Sequence, residues 1–411
     1  MIEKLFVREK ILRRYRESPF ASQFDDFAAI LIAQGYRLVS VRYQVRRTLW
    51  FTEWLRDQGI PIAKATQDVV ARYVESQRLR PDQKLLGTLG PSRFMTLLRE
   101  CRVIPAAPRA LHTQLEEDLD LFGAHLVEAL GVSHWTRSEY IRNARKLAAF
   151  AQRGTDFDWS SLTAEVVCRF VQEQAERRAI GGRHHVCTAT RGLLRYLVAR
   201  GVVSPALLAA VPRVRQWRLS SLPRYLPAGA ARRALSACRD GGSLGLRDRA
   251  ILTTLSRLGL RAGEVRRLRL DDVDWRNGTM LIRASKTQRE RSVPLTPDVG
   301  AAIVAYLKKG RPKSADPRLF LRHFPPYSKI RSSATITHIA RSRLTQAGVS
   351  APHMGAHAFR HTVATDLVRH GVTFKDVADV LGHQTLAATG VYAKLDLATL
   401  ARVAMPWPEE L

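Results

Sequence analysis

The chain has 411 residues, with 66 Lys plus Arg against 37 Asp plus Glu and a net charge of +29. At about 100–200 residues per domain this length holds two to four domains, which excludes a peptide, a stapled mini-protein and a lone binding module. With 45% hydrophobic and 25% charged residues the composition is that of a folded protein, so the cationic excess lies on folded surface and asks for a polyanionic partner.

From the N-terminus, residues 1–16 mix Glu3, Lys4, Arg8, Glu9, Lys10, Arg13 and Arg14 into an apolar pattern and form no signal-peptide core. No run approaches the ~20 apolar residues that a membrane span needs. A soluble, cytoplasmic protein with no membrane partner is expected. Cys101, Cys168, Cys187 and Cys238 lie far apart without a Cys-x-x-Cys pair, which fits a reducing compartment and argues against a disulfide framework.

Two proline-marked breaks follow, Pro105 to Pro108 and Pro205 through Pro212, Pro223 and Pro227. The segments before each break carry apolar residues at spacings of three and four and read as helical bundles. They resemble each other. At an offset of 97 residues Tyr43 pairs with Tyr140, Thr66 with Thr163, Asp68 with Glu165, Tyr73 with Phe170 and Gln77 with Gln174. At an offset of 99, Leu98 pairs with Leu197 and Val103-Ile104 with Val202-Val203. The match spans a capping pattern and the helix after it, and points to a tandem duplication.

Beyond Pro227 the pattern changes to α+β. Helices are expected over 246–258, 299–308, 335–347, 356–370 and 373–381, with two antiparallel strands at 279–283 and 291–295.

This last segment holds the residues able to do chemistry: Gly259-Leu260-Arg261 with Glu264, Lys286, His357 to His361, Leu381-Gly382-His383, and Tyr392. Breaking a phosphodiester builds negative charge on its non-bridging oxygens, and paired guanidiniums such as Arg261 and Arg360 suit that geometry. His357 lies one helical turn before Arg360 and shares its face. His383 adds a donor, and Lys286, in the turn between the strands, can protonate a leaving oxygen. A serine, a cysteine, water or a tyrosine could attack. Tyr392 is the tyrosine candidate, and packed arginines are expected to lower the pKa of its phenol.

These ordered motifs resemble the catalytic domain of the tyrosine site-specific recombinases, the phage integrase family, over about residues 246–395. The resemblance implies Tyr392 as nucleophile, and Arg261, Arg360 and His383 as phosphate-stabilising groups. It further implies Lys286 as general acid and His357 as general base or donor, with Glu264 orienting Arg261. Ala358-Phe359 departs from the family's usual Asp-Leu.

The fold class implied is mostly α with a small antiparallel sheet: two N-terminal helical-bundle DNA-binding domains plus an α+β tyrosine-recombinase catalytic domain. The boundaries read from the sequence are an N-terminal domain 1–104, itself a candidate duplicate of the core-binding domain, that core-binding domain at 111–205, a linker 206–227 and a catalytic domain 228–411. The implied partners are double-stranded DNA at specific recombination sites and further copies of the chain, as a tetramer on paired sites, with partner recombinases an open question.

Expected DNA contacts are Arg42, Arg46 and Arg47 in the first bundle, Arg213, Arg215 and Arg218 in the linker, and Arg289 and Arg291 at the hairpin. A helix at 396–403 is expected to dock on a neighbouring protomer. The function implied is cutting and rejoining DNA for a mobile element through a 3′-phosphotyrosyl link. A type IB topoisomerase and a catalytically inactive DNA-binding accessory protein are the alternatives.

No cofactor or metal is expected. Asp271, Asp272 and Asp274 read as a solvated turn, and the Cys168, His184, His185 and Cys187 set fits no standard zinc spacing. Tyr225 reads as packing or a phosphate contact.

Overall fold

The computed structural model describes residues 1–77, 81–106, 113–152, 157–177, 180–213, 225–238, 242–284, 290–382, 389–390 and 392. The chain divides into two compact units, Met1–Ala107 together with Ser221–Leu411, and Pro108–Ser220. The described part is mostly helical with one three-stranded antiparallel sheet.

The first bundle comprises α1 (Ile2–Leu5), α2 (Glu9–Arg16), α3 (Ala21–Ala33), α4 (Leu38–Asp57), α5 (Gln67–Ser76) and α6 (Pro81–Glu100). Its core is aromatic. Phe24 stacks on Phe94 at 4.7 Å between ring centroids, and Phe51 meets Tyr73 edge-on at 5.2 Å.

The second bundle comprises α7 (Gln114–Glu128), α8 (His134–Ala151), α9 (Ala164–Glu176) and α10 (Ile180–Ala199). Its core includes Phe122, Leu147, Phe170 and Leu197. Residues 206–211, at the start of the expected linker, also belong to this core, because the 3-10 turn Pro205–Ala210 buries Leu207 and Val211 follows it inward.

From α3 onward the two bundles repeat each other, α3 to α6 corresponding to α7 to α10. The α5 and α9 helices begin at the expected offset, each capped by a threonine hydroxyl, Thr66 accepting from the Val69 amide and Thr163 from the Val166 amide. Along α6, the buried positions Gly90, Pro91, Phe94, Met95, Leu97 and Leu98 recur 99 residues later as Ala189, Thr190, Leu193, Leu194, Tyr196 and Leu197.

The correspondence of α4 with α8 departs from the sequence pairing at the helix starts and again in the core. Their N-caps are Arg37 and Ser133, 96 residues apart, and Gly35 and Gly131 turn the chain before them with φ of 85° and 60°. Within the helices burial sets another register: Gln44, Val45, Thr48 and Leu49 are buried where α8 buries Asn143, Ala144, Leu147 and Ala148, 99 residues on, and Phe51 meets the Tyr73 ring as Phe150 meets that of Phe170.

The bundles also end alike, with the Val103 amide donating to the Leu98 carbonyl and the Val202 amide to the Leu197 carbonyl. Between these residues the second bundle places Gly201 at φ 71°, whereas the first places Arg102 at φ 57°.

The third region comprises α11 (Ala230–Ser236), α12 (Gly242–Leu258), α13 (Ala262–Arg267), β1 (Val273–Asp274), β2 (Thr279–Ile282) and β3 (Arg291–Pro294), then α14 (Pro297–Ala305), α15 (Ser333–Gln346), α16 (Ala356–Arg369) and α17 (Phe374–Leu381). The apolar α12 forms its centre, burying Ala250, Ile251, Leu252 and Leu255. In the sheet Met280 opposes Val293 and Val273 opposes Met280, all three facing the core.

The aspartate run is not a wholly solvated turn. Asp272 is 3% exposed, pairs with Arg283 and accepts from the Arg269 amide. The first bundle meets the third region where the Tyr36 hydroxyl donates to the Pro325 carbonyl at 2.7 Å. There Gly35 lies so close to the Tyr327 ring that a Cβ would come within 2.8 Å of it.

A left-handed residue other than glycine costs about 1–2 kcal/mol. Arg102→Gly is expected to stabilise the first bundle by about 0.5–1 kcal/mol once the unfolded glycine's extra freedom is deducted, read as a raised urea midpoint. An unchanged or lower midpoint would refute this account.

Candidate active site

Two glycines make the site possible. At Gly259, where the chain leaves α12 with φ 59°, a Cβ would come within 2.6 Å of Leu381. At Gly382, the C-cap of α17 with φ 66°, a Cβ would come within 2.5 Å of the Arg291 guanidinium. The end of α17 therefore packs directly against the start of α13, leaving its last carbonyls pointing inward with no helical partner.

Three guanidiniums take up those carbonyls. Arg360 donates from Nη1 to the Gly259 carbonyl at 2.8 Å and from Nη2 to the Leu381 carbonyl at 2.7 Å. Arg261 donates from both Nη atoms to the Gly382 carbonyl at 3.2 and 3.1 Å. Arg291 donates from Nε to the Val380 carbonyl at 3.3 Å. A helix C-terminus carries partial negative charge, so this arrangement offsets the repulsion among the cations.

Glu264 is the second anchor. Its carboxylate accepts from the Arg261 amide at 2.8 Å, from Arg261 Nη1 at 3.2 Å and from both Nη atoms of Arg291 at 3.2 Å. Burial pushes the pKa of this carboxyl up, but the Arg291 hydrogen bonds, the Arg261 amide and the two cations outweigh it and hold it below the usual glutamate range. Arg291, expected as a DNA contact, is thereby committed to Glu264 and the α17 carbonyls, with its side chain only 13% exposed.

Burial pulls the Arg360 guanidinium down to about 10, helped by Arg261, which leaves it cationic at neutral pH. His357 stands on the solvent side of α16. The protein packed on its inner side and then the Arg360 and Arg261 cations lower its pKa, favouring neutral imidazole.

Tyr392 is 2% exposed, against Ala364, Val368, Val377 and Leu381. Burial raises its phenol pKa, and the opposing pull of Arg360 and Arg261 is too small to reverse this. The expected lowering does not occur, because desolvation of the phenolate is the larger effect. The phenol and His361 Nδ1 are 2.7 Å apart, and the His361 ring meets His357 edge-on at 5.1 Å.

His361 was not among the expected site residues. The signal was its spacing of four from His357, which puts both rings on one helical face.

Of the remaining expected residues, Lys286, His383, Arg289, Arg215, Arg218 and the 396–403 helix lie outside the described residues. Arg213 is exposed. In α4, Arg46 is exposed and its guanidinium lies 5.9 Å from the Phe6 ring centre. Arg47 lies over the Tyr43 and Trp50 rings at 5.4 and 5.3 Å. The buried Nε atoms of Arg42 and Arg47 have no hydrogen-bond partner among the described residues. Tyr225 packs under Arg369 at 5.0 Å. Among the described residues no group of three or more His, Cys, Asp or Glu is placed to hold a metal ion, and no helix is long and apolar enough to cross a membrane.

Residues 224–398 match the model of the phage integrase family. A Sinorhizobium fredii (strain NBRC 101917 / NGR234) protein that carries the name integrase/recombinase y4rA is 34% identical over 401 residues, covering 97% of this chain and 97% of its own. The tyrosine recombinase XerC of Mycobacterium sp. (strain KMS) is 32% identical over 309 residues, covering 70% of this chain and 97% of that protein. Among solved structures, a lambda integrase (75–356) dimer bound to a COC′ core site aligns with a TM-score of 0.51 at 15% identity, over 72% of this chain and 98% of that one.

Removing one partner of a buried ion pair costs about 3–5 kcal/mol. Arg291→Leu is expected to lower the unfolding free energy at neutral pH by about 3 kcal/mol, since the buried Glu264 carboxylate loses the Arg291 guanidinium. Because the folded pKa of Glu264 is depressed, its contribution is present above the unfolded glutamate pKa of about 4.3 and is lost as pH falls through the folded value. The variant should therefore show a shallower acid-side loss of stability in urea titrations across pH. A parallel, undiminished loss would contradict the assignment.

Proposed function

The chain belongs to the phage integrase family and is a tyrosine recombinase enzyme, and we propose that it cuts and rejoins DNA at specific sites through a covalent 3′-phosphotyrosyl intermediate made by Tyr392. The observation that carries this reading is the convergence of a tyrosine, two guanidiniums and an imidazole at one place. Tyr392 lies within the electrostatic reach of Arg261 and Arg360, and His357 lies within reach of the same two cations.

The scissile phosphate docks on Arg261 and Arg360, which hold its non-bridging oxygens as charge builds on them. Both guanidiniums are already oriented by backbone carbonyls, so little reorganisation is required when the phosphate arrives. The phenol of Tyr392 attacks phosphorus and the 5′ oxygen departs with a proton from Lys286, with His383 and His357 as further donors. The phosphotyrosyl diester is similar in energy to the bond broken, so the exchange needs no high-energy cofactor and is reversible onto a second strand.

The two helical bundles bind duplex DNA in this reading. The correspondence of α3 to α6 with α7 to α10 supports a duplicated core-binding domain, with Arg42, Arg46, Arg47 and Arg213 as phosphate contacts. One solved neighbour is a lambda integrase tetramer bound to a Holliday junction. By likeness this chain assembles on paired sites as a tetramer, with the 396–403 segment docking between copies. The added first bundle favours service to a mobile element.

Tyr392→Phe should abolish covalent adducts with a nicked duplex carrying the bound site while leaving the dissociation constant for that duplex unchanged within about twofold. Persistence of an adduct would move the nucleophile elsewhere. Affinity should also fall steeply with salt, by about a thousandfold or more between 50 and 200 mM if six or more phosphates are neutralised. A salt-insensitive constant would remove the backbone contacts on which this reading depends.

A further inference from the structure

The buried phenol poses a chemical difficulty. Desolvation raises the cost of forming phenolate beyond what Arg360 and Arg261 offset, so the nucleophile enters the reaction protonated and its proton must leave as the oxygen attacks. A proton acceptor has to touch the phenolic oxygen itself.

We propose that His361 is the general base that takes the proton of Tyr392. Its Nδ1 lies 2.7 Å from the phenolic oxygen, within the distance that a transferring pair needs. The rings sit 5.7 Å apart and tilted. For the phenol to donate, Nδ1 must be the unprotonated nitrogen, which puts the ring proton on Nε2.

Among the described residues, the titratable and charged groups around this pair include His357 and Arg360 on the same helix, Tyr392 against it, and Arg261 from the start of α13, which acts on both Tyr392 and His357. The edge-on contact with His357 at 5.1 Å and the helical backbone of α16 fix the His361 ring. His357, reached by the same cations that would grip the phosphate, is thereby left for the phosphate while His361 serves the nucleophile. This division explains why two histidines four residues apart occupy one face.

This inference rests on Tyr392 being the nucleophile. As its oxygen bonds to phosphorus, the O–H bond breaks and the proton passes to Nδ1, giving a His361 imidazolium. The P–O5′ bond breaks and the 5′ oxygen leaves with the proton of the general acid. In the reverse step the 5′ hydroxyl returns its proton to that acid as it attacks phosphorus, and the imidazolium reprotonates the departing phenolate. Protons and electron pairs balance in each direction.

The test measures single-turnover adduct formation by the full chain on a nicked duplex selected by this protein from a random pool. General-base assistance is worth about 10²–10⁴-fold. His361→Ala should slow adduct formation by at least about 100-fold at neutral pH, with duplex affinity unchanged, and the deficit should shrink as pH rises because solvent hydroxide replaces the base. His361→Gln, which keeps an acceptor beside the phenol but cannot hold the proton, should remain nearly as slow.

An Ala variant as fast as the native chain, or faster, would make the contact a restraint on the tyrosine and overturn the proposal. Recovery of the native rate by Gln would reduce His361 to positioning and overturn it equally. Tyr392→Phe separates the two levels of argument. An adduct surviving in that variant sinks the nucleophile assignment and this inference with it, whereas an adduct lost there but retained at full rate in both His361 variants sinks the base alone.

Discussion

Four backbone carbonyls organise the catalytic region: Gly259 beyond α12, and Val380, Leu381 and Gly382 at the end of α17. They receive guanidinium hydrogen bonds from Arg360, Arg291 and Arg261. Three cations brought this close repel one another. The packing tolerates them because the helix terminus contributes partial negative charge and Glu264 a full one. The left-handed turn at Gly382 makes this possible, since a side chain there would occupy the space of the Arg291 guanidinium. What looks in isolation like an ordinary helix C-cap is also the mount on which the phosphate-binding groups are held.

A second balance sets the state of the nucleophile. Tyr392 is near cations that favour phenolate but inside an apolar cluster that disfavours it, and the cluster prevails. An unreacted tyrosine kept as neutral phenol is protected from indiscriminate attack. The same burial gives significance to His361, whose contact with the phenolic oxygen would be of little consequence around an exposed tyrosine that water could deprotonate.

The repeated bundles show how one helical plan carries two surfaces. Their caps, turns and buried positions correspond closely, while their exposed residues diverge. Where the second bundle has Gly201 the first has Arg102 in the same left-handed turn, and in α4 arginines lie over aromatic rings. The first bundle also touches the catalytic region through Tyr36 and Gly35, a contact built in the loop before α4 that leaves most of that helix to other partners.

The sequence by itself determined the helical character of the chain, the repeat, the strand pair around residue 286 and the ordered set of catalytic residue types, because each is written in local spacing: apolar periodicity, threonine caps, and short motifs whose members sit within a turn of one another. Three features were decided only by tertiary structure. The buried register of α4 against α8 stands two residues from the sequence pairing, since burial against neighbouring helices selects which residues face inward. Arg291, at the hairpin, pairs with Glu264, and Tyr392, expected to be acidified by arginines, is governed by burial. Pairings such as His361 with Tyr392, or Gly382 with Arg291, join residues distant in the chain. Their chemistry depends on the dielectric and geometry of the enclosed space, which no local pattern encodes.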